Sequence, residues 1–129
     1  MKIPEDLRYT KEHEWVKIEG NRAYVGITDY AQESLGDIVY IEPPEVGLDV
    51  DLNQEITTIE SVKAAEPIFS PLSGKIVEAN DLNDSPESIN QDPYGTIIFT
   101  VEFSNASEID GLLEYAAYKK VVEEDKTES

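Results

Sequence analysis

The chain has no cysteine, which excludes disulfides and thiolate metal sites outright. It has one histidine, His13, which cannot build a His-rich metal site and has no thiol to serve. His13 is expected to be a packing or hydrogen-bonding group. Positive charge is scarce too: ten Lys and Arg face twenty-eight Asp and Glu, for a formal net charge of -18. That argues against nucleic acid, where binding gains from phosphate neutralisation, and against anionic membrane surfaces. No apolar run approaches the ~20 residues that a membrane helix needs. Met1-Lys2-Ile3-Pro4-Glu5-Asp6 is neither a signal peptide nor an Arg-rich transit peptide, so the expected location is cytoplasmic.

What is present is 129 residues, the size of one domain spanning 1–129 and expected as a monomer. A chain of this length buries roughly two thirds of its unfolded surface, enough for a core without staples. The acidic excess has two readings. One is solubility; the other is steering of a mobile protein toward basic patches on larger partners.

The pattern along the chain is mostly β. Glu14 to Ile27 reads as a hairpin turning at Gly20-Asn21. Thr28-Asp29 supplies helix N-cap chemistry, with Gln32 as capping-box partner, and Gly36 stops the short helix. Asp37–Glu42 is a strand broken by Pro43-Pro44. Further strands are predicted over Glu55–Val62, Glu66–Ser70, Lys75–Ala79 and Thr96–Phe103, with a long polar loop over Asn80–Tyr94. Ser107 can cap a helix through Leu113, Tyr115–Val122 can form a second, and Glu123–Ser129 is expected to be a frayed acidic tail. Trp15 and the tyrosines are expected as core and rim.

Glu60-Ser61-Val62-Lys63-Ala64-Ala65 places one lysine between two strands, at a hairpin tip with its amine in water. Such a lysine is a surface charge or an attachment point. Val62, Ala64 and Ala65 offer no carboxylate to pair the amine and no bulk to hide it, which favours attachment. With Glu60 three residues before it and Gly74 eleven after, the segment resembles the lipoylation site of the glycine cleavage H-protein family. Tyr9-Thr10-Lys11-Glu12-His13-Glu14-Trp15-Val16 resembles that family's opening. Val25–Gln32, Leu35–Tyr40, Pro44–Gly47, Pro71–Glu78, Asp84–Glu87 and Asn90–Gly95 resemble its later blocks, in order and with family-like spacing. A collinear series from about residue 7 to about residue 122 is far more specific than any one motif.

The resemblance implies a barrel-sandwich hybrid of antiparallel strands, lipoyl-domain-like, with short peripheral helices that include C-terminal ones. It implies lipoic acid joined covalently to Lys63, and a carrier rather than an enzyme. The implied partners are a glycine decarboxylase, an aminomethyltransferase, a dihydrolipoyl dehydrogenase and a lipoate-attaching enzyme. Glu60 then reads as a recognition residue for the attaching enzyme; without the family it reads as a solvated strand carboxylate. Gly74 reads as the turn glycine that sets the facing loop, and with it as a recognition position of the hairpin and turn. Glu14 reads as lining a cleft for a cationic arm, or simply as a strand-end charge.

Some positions depart from the family pattern. Ser34 stands where some members carry histidine, Glu66-Pro67 where many have Ser-Asp, and Pro43-Pro44 replaces Leu-Pro. Thr96-Ile97-Ile98-Phe99 follows Gly95 where many members carry a further glycine and a tryptophan. These changes sustain an alternative, an H-like lipoyl carrier for lipoate relay or sulfur oxidation. An unmodified interaction module and a Schiff-base enzyme are the rivals from other classes. The last would need Lys63 buried or beside a cation to depress its pKa. Asp49–Glu60 falls short of a calcium loop because Gln54 replaces the required glycine, and Ser73-Gly74-Lys75 lacks the rest of a phosphate loop.

Overall fold

A computed structural model describes residues 1–128 of the chain. Nine strands run in order: β1 Arg8–Tyr9, β2 Glu14–Glu19, β3 Arg22–Ile27, β4 Ile38–Ile41, β5 Asp49–Val50, β6 Glu55–Ser61, β7 Ala65–Phe69, β8 Gly74–Ala79 and β9 Phe99–Phe103. Helix α1 covers Asp29–Leu35, α2 Ser88–Gln91 and α3 Tyr115–Glu128, with a 3-10 turn over Ala106–Gly111. Every pairing is antiparallel. Six strands form one sheet in the order β1-β2-β3-β9-β8-β5, and β4-β6-β7 form a second. This is the mostly β, lipoyl-domain-like barrel-sandwich that the resemblance implies.

The two sheets meet through their buried faces. Val25 and Ile27 of β3, Ile76 of β8 and Phe99 and Val101 of β9 pack with Ile41 of β4, Ile59 of β6 and Ile68 of β7. Alternation along a strand sends every second side chain inward, so Val25/Ile27 and Phe99/Val101 form one layer. Burial of such side chains is the main stabilising term, at about 1.5–3 kcal/mol each. Under α3 a second cluster joins Tyr9, Trp15, Tyr118 and Val122, all at most 4% exposed, so these aromatics belong to the core.

Several elements differ from the sequence expectation, each for a physical reason. β1 and β5 have two residues each, too short to leave a period. The polar loop over 80–94 contains α2 and closes the open edge of β4. Asn90 Oδ1 accepts from Ile38 N at 2.9 Å, and Asn83 Oδ1 accepts from Ile41 N at 3.1 Å while its Nδ2 donates to Ile41 O. The loop's asparagines thus stand in for a missing strand. The first C-terminal helix is a 3-10 turn, capped by Asn105, whose Oδ1 accepts from Ser107 N, rather than by Ser107. At α1 Thr28 is the N-cap and accepts from Ala31 N, while Gln32 bonds the Asp29 side chain instead of completing a box.

The last correction concerns the expected frayed tail at 123–129. α3 runs on to Glu128, while Ser129 lies outside the described residues. Asp125 follows Val122 by three residues on the same helix face, and its carboxylate meets His13. The helix therefore runs past Val122, where its apolar period stops, and makes a tertiary contact beyond that point.

Candidate functional site

The β6–β7 hairpin is built by its own short sequence. Ser61 N donates to Ala64 O at 2.8 Å, closing the turn. Ser61 Oγ accepts from Lys63 N at 3.2 Å and from Ala64 N at 3.1 Å. Val62 N donates to Asp37 O at 3.0 Å, which pins the tip to the connection after α1. Every amide of the tip is therefore occupied, and the turn holds one shape without burial. Lys63 is exposed at this tip, and its amine has no ion pair among the described residues. Its stem passes over Gly36: a Cβ added there would lie 3.5 Å from Lys63 Cε. Gly36, at φ +79, also lets the chain leave α1 in a left-handed conformation.

One residue beyond Lys63, Ala64 lines a cleft of about 400 Å³. Helix α1 contributes Tyr30, Ala31, Ser34 and Leu35 to one wall, and Ile59, Pro67 and Ile68 of the hairpin form another. Glu14 and Phe69 also line it. Glu14 is 2% exposed. Its Oε1 accepts from Thr10 Oγ1 at 2.6 Å and its Oε2 from Phe69 N at 3.3 Å. Burial pushes the Glu14 carboxyl up to about 7, against the pull of the Thr10 and Phe69 bonds, with the Glu12 charge adding to the rise. Near neutrality this carboxyl exchanges its proton readily, and a cation entering the cleft would draw it to carboxylate. Glu12, Glu66 and Asp125 also line the cleft, and no Lys or Arg does among the described residues. Glu14 opens β2 and so stands at a strand end, but it is a buried carboxyl rather than a solvated charge.

Glu60 is exposed on β6, in register with Tyr40 and Ala65, and has no side-chain partner among the described residues. Gly74 lies elsewhere. It opens β8 in the six-stranded sheet, in register with Phe103 and Val50, away from the Lys63 hairpin in sheet and in sequence. A Cβ there would fall 2.1 Å from Glu102 O, so this glycine is required by the close approach of β9. The structure thus brings Lys63, Glu60 and Glu14 to one hairpin and its cleft, and leaves Gly74 out. His13 is satisfied, as expected, by Tyr118 Oη at 2.8 Å and Asp125 Oδ2 at 2.5 Å. Ser61, Thr10 and Asp125 were not singled out by sequence, and Gly36 was read there only as the helix stop. Ser61 alone had a usable signal, since a serine before a tight turn commonly binds the amides that follow it.

An open lysine on a stiff hairpin, set on a barrel-sandwich of two sheets, defines the class: a lipoyl-type carrier domain. No described helix is long and apolar enough to cross a membrane. The family model for glycine cleavage H-protein matches residues 7–125. The chain is 51% identical over 127 residues to the glycine cleavage system H protein of Anaeromyxobacter sp. (strain K), covering 96% of this chain and 98% of that one. It is 52% identical over 126 residues to that of Stenotrophomonas maltophilia (strain K279a), covering 95% and 96%. The crystal structure of a glycine cleavage system H protein from Mycobacterium marinum superposes with a TM-score of 0.81 at 37% identity, covering 90% of this chain and 95% of that one. The chain belongs to the glycine cleavage H-protein family and is a lipoyl carrier of that system. The alternative, a carrier for lipoate relay or sulfur oxidation, is not favoured.

Proposed function

We propose that Lys63 is the residue that carries lipoic acid, through an amide between its Nζ and the lipoyl carboxyl. The residues fit that group. An amine with no ion partner needs no charge pair broken before acylation, and the adjoining cleft has room for a flexible arm. When bound, the lipoyl group supplies a dithiolane that accepts the aminomethyl group of glycine and is later reoxidised. The chain itself catalyses none of these steps. It is a substrate of its partners: the glycine decarboxylase, the aminomethyltransferase, the dihydrolipoyl dehydrogenase and a lipoate-attaching enzyme. The whole chain, 1–129, acts as one carrier domain, as a monomer in the cytoplasm, and nucleic acid and membranes are not among its partners.

The residues have separate tasks in this reading. Ser61 stiffens the tip, so each partner meets Lys63 already ordered. Glu60, three residues from Lys63, is a carboxylate that the attaching enzyme recognises. Glu14 gives the cleft a negative group for a cationic arm end, and the apolar walls from α1 and β7 keep water from it. Gly74 acts indirectly, by keeping β8 against β9.

The observation that carries this reading is the exposed, partnerless Lys63 one residue from the cleft. Intact mass tests it. Protein made in cells with active lipoylation should carry the lipoyl increment, and Lys63→Arg should lack it. An increment that survives in Lys63→Arg, or is missing from the parent protein, overturns the assignment. The lipoylated protein should then support glycine-dependent bicarbonate exchange by the decarboxylase.

A further inference from the structure

One imidazole joins the C-terminal helix to the cleft. His13 sits at φ 70 in the connection between β1 and β2 and lines the cleft, as does Asp125 of α3. Both His13 ring nitrogens face α3, Nδ1 toward Tyr118 Oη and Nε2 toward Asp125 Oδ2. The ring also lies 4.6 Å from the Tyr30 ring of α1, another lining residue. Tyr118 Oη reaches on to Thr28 Oγ1 at 2.6 Å, and Thr28 caps α1. The same connection that holds His13 also holds Thr10, whose hydroxyl donates to Glu14.

Asp125 is not what anchors α3 to the protein. Tyr118 and Val122 do that, at 0% and 4% exposed. The His13 and Asp125 side chains are 15% and 38% exposed, so their contact lies at the margin of the core rather than inside it. What the pair does is fix an orientation. With Asp125 in place, the ring is held from both nitrogens; without it, Nε2 has no protein partner and only the Tyr118 bond and the Tyr30 contact hold the ring against the α1 wall.

We propose that the His13–Asp125 pair is a clasp through which the C-terminal helix sets how firmly the cleft shields an arm on Lys63, with Asp125 a positioning residue acting through His13. This rests on the reading of Lys63 as the lipoylated residue. The clasp explains why α3 stays helical through a strongly acidic segment and why Asp125 faces the cleft side of the helix.

The test uses fully lipoylated, reduced protein alkylated with iodoacetamide and followed by intact mass. The chain has no cysteine, so the arm thiols are the only ones to label. Asp125→Ala should raise the alkylation rate about threefold or more, by shifting the arm from docked to free. His13→Asn should do the same; asparagine tolerates the positive φ but is too short to reach Asp125. Asp125→Asn, which keeps a hydrogen-bonding group at the same position, should stay closer to the parent rate than Asp125→Ala. Glu124→Ala, the same truncation of an acidic side chain at an exposed neighbour, should leave the parent rate. Alkylation of Asp125→Ala and His13→Asn at the parent rate, or an equal rise in Glu124→Ala, overturns the clasp alone. A parent protein without the lipoyl increment overturns the attachment reading and the clasp with it.

Discussion

Replacing Glu14 by glutamine should change how the protein's stability depends on pH, and the size of the change follows from burial. The Glu14 carboxyl is pushed from an ordinary 4.5 up to about 7, chiefly because its 2% exposure denies the charged form water. In the unfolded chain it returns to the ordinary value. Below about pH 4.5 the carboxyl is protonated in both states and has no effect on their balance. Between that pH and 7 the folded form keeps the proton that the unfolded form has lost, so folding loses stability as pH rises. At about 1.4 kcal/mol per unit, the loss reaches roughly 3 kcal/mol above pH 7. Glutamine cannot ionise, so Glu14→Gln removes this slope, at the cost of one hydrogen bond to Thr10 or Phe69. The assay is urea unfolding of both proteins from pH 4.5 to 8. The difference between them cancels the other carboxylates, which both proteins share. That difference should fall by about 3 kcal/mol across the window, with its midpoint between 5 and 7. A flat difference would mean that Glu14 is solvated in the cleft, and the electrostatic part of the reasoning would be refuted.

Three further outcomes are expected. Ser61→Ala removes the acceptor for the Lys63 and Ala64 amides, a loss of about 0.5–1.5 kcal/mol confined to the tip. Hydrogen exchange at those two amides should quicken while the melting temperature stays put; unchanged exchange rejects Ser61 as the brace. Gly74→Ala forces a methyl to within 2.1 Å of Glu102 O, so about 1–3 kcal/mol should be lost, seen as a melting point lower by several degrees. Its lipoylation at low temperature should persist, and a folded Gly74→Ala protein that resists lipoylation would restore a direct recognition role. Tyr118→Phe deletes a buried hydroxyl shared by His13 and Thr28, and urea titration should register a loss of about 1–3 kcal/mol. Parent stability in that variant would show the shared bonds to be energetically idle.

Much of the molecule was legible in one dimension because its signals are local. The β2–β3 hairpin shows its turn at Gly20-Asn21, α1 shows its start at Thr28 and its stop at Gly36, and β6 and β7 flank a lysine with small neighbours. Each of these rests on contacts within a few residues, where spacing and residue type carry the information. The acidic excess and the absent cysteine are properties of composition and need no fold. The exposure of Lys63 was also legible, since nothing adjacent in sequence can cover it.

The remainder depended on residues that meet only after folding. Gly74 looks like a turn glycine until β9 arrives 2.1 Å from where its Cβ would be. The end of α3 looks like a solvated tail until Asp125 finds His13, 112 positions away. Glu14 is an ordinary strand-end acid until Phe69 and Thr10 enclose it, and its raised pKa comes from an enclosure that no local pattern encodes. Residue identity alone placed an exposed amine on a turn, because turn chemistry acts over three or four neighbours. The pocket beside that amine arose from burial and from long-range hydrogen bonds, which exist only once distant segments are packed together.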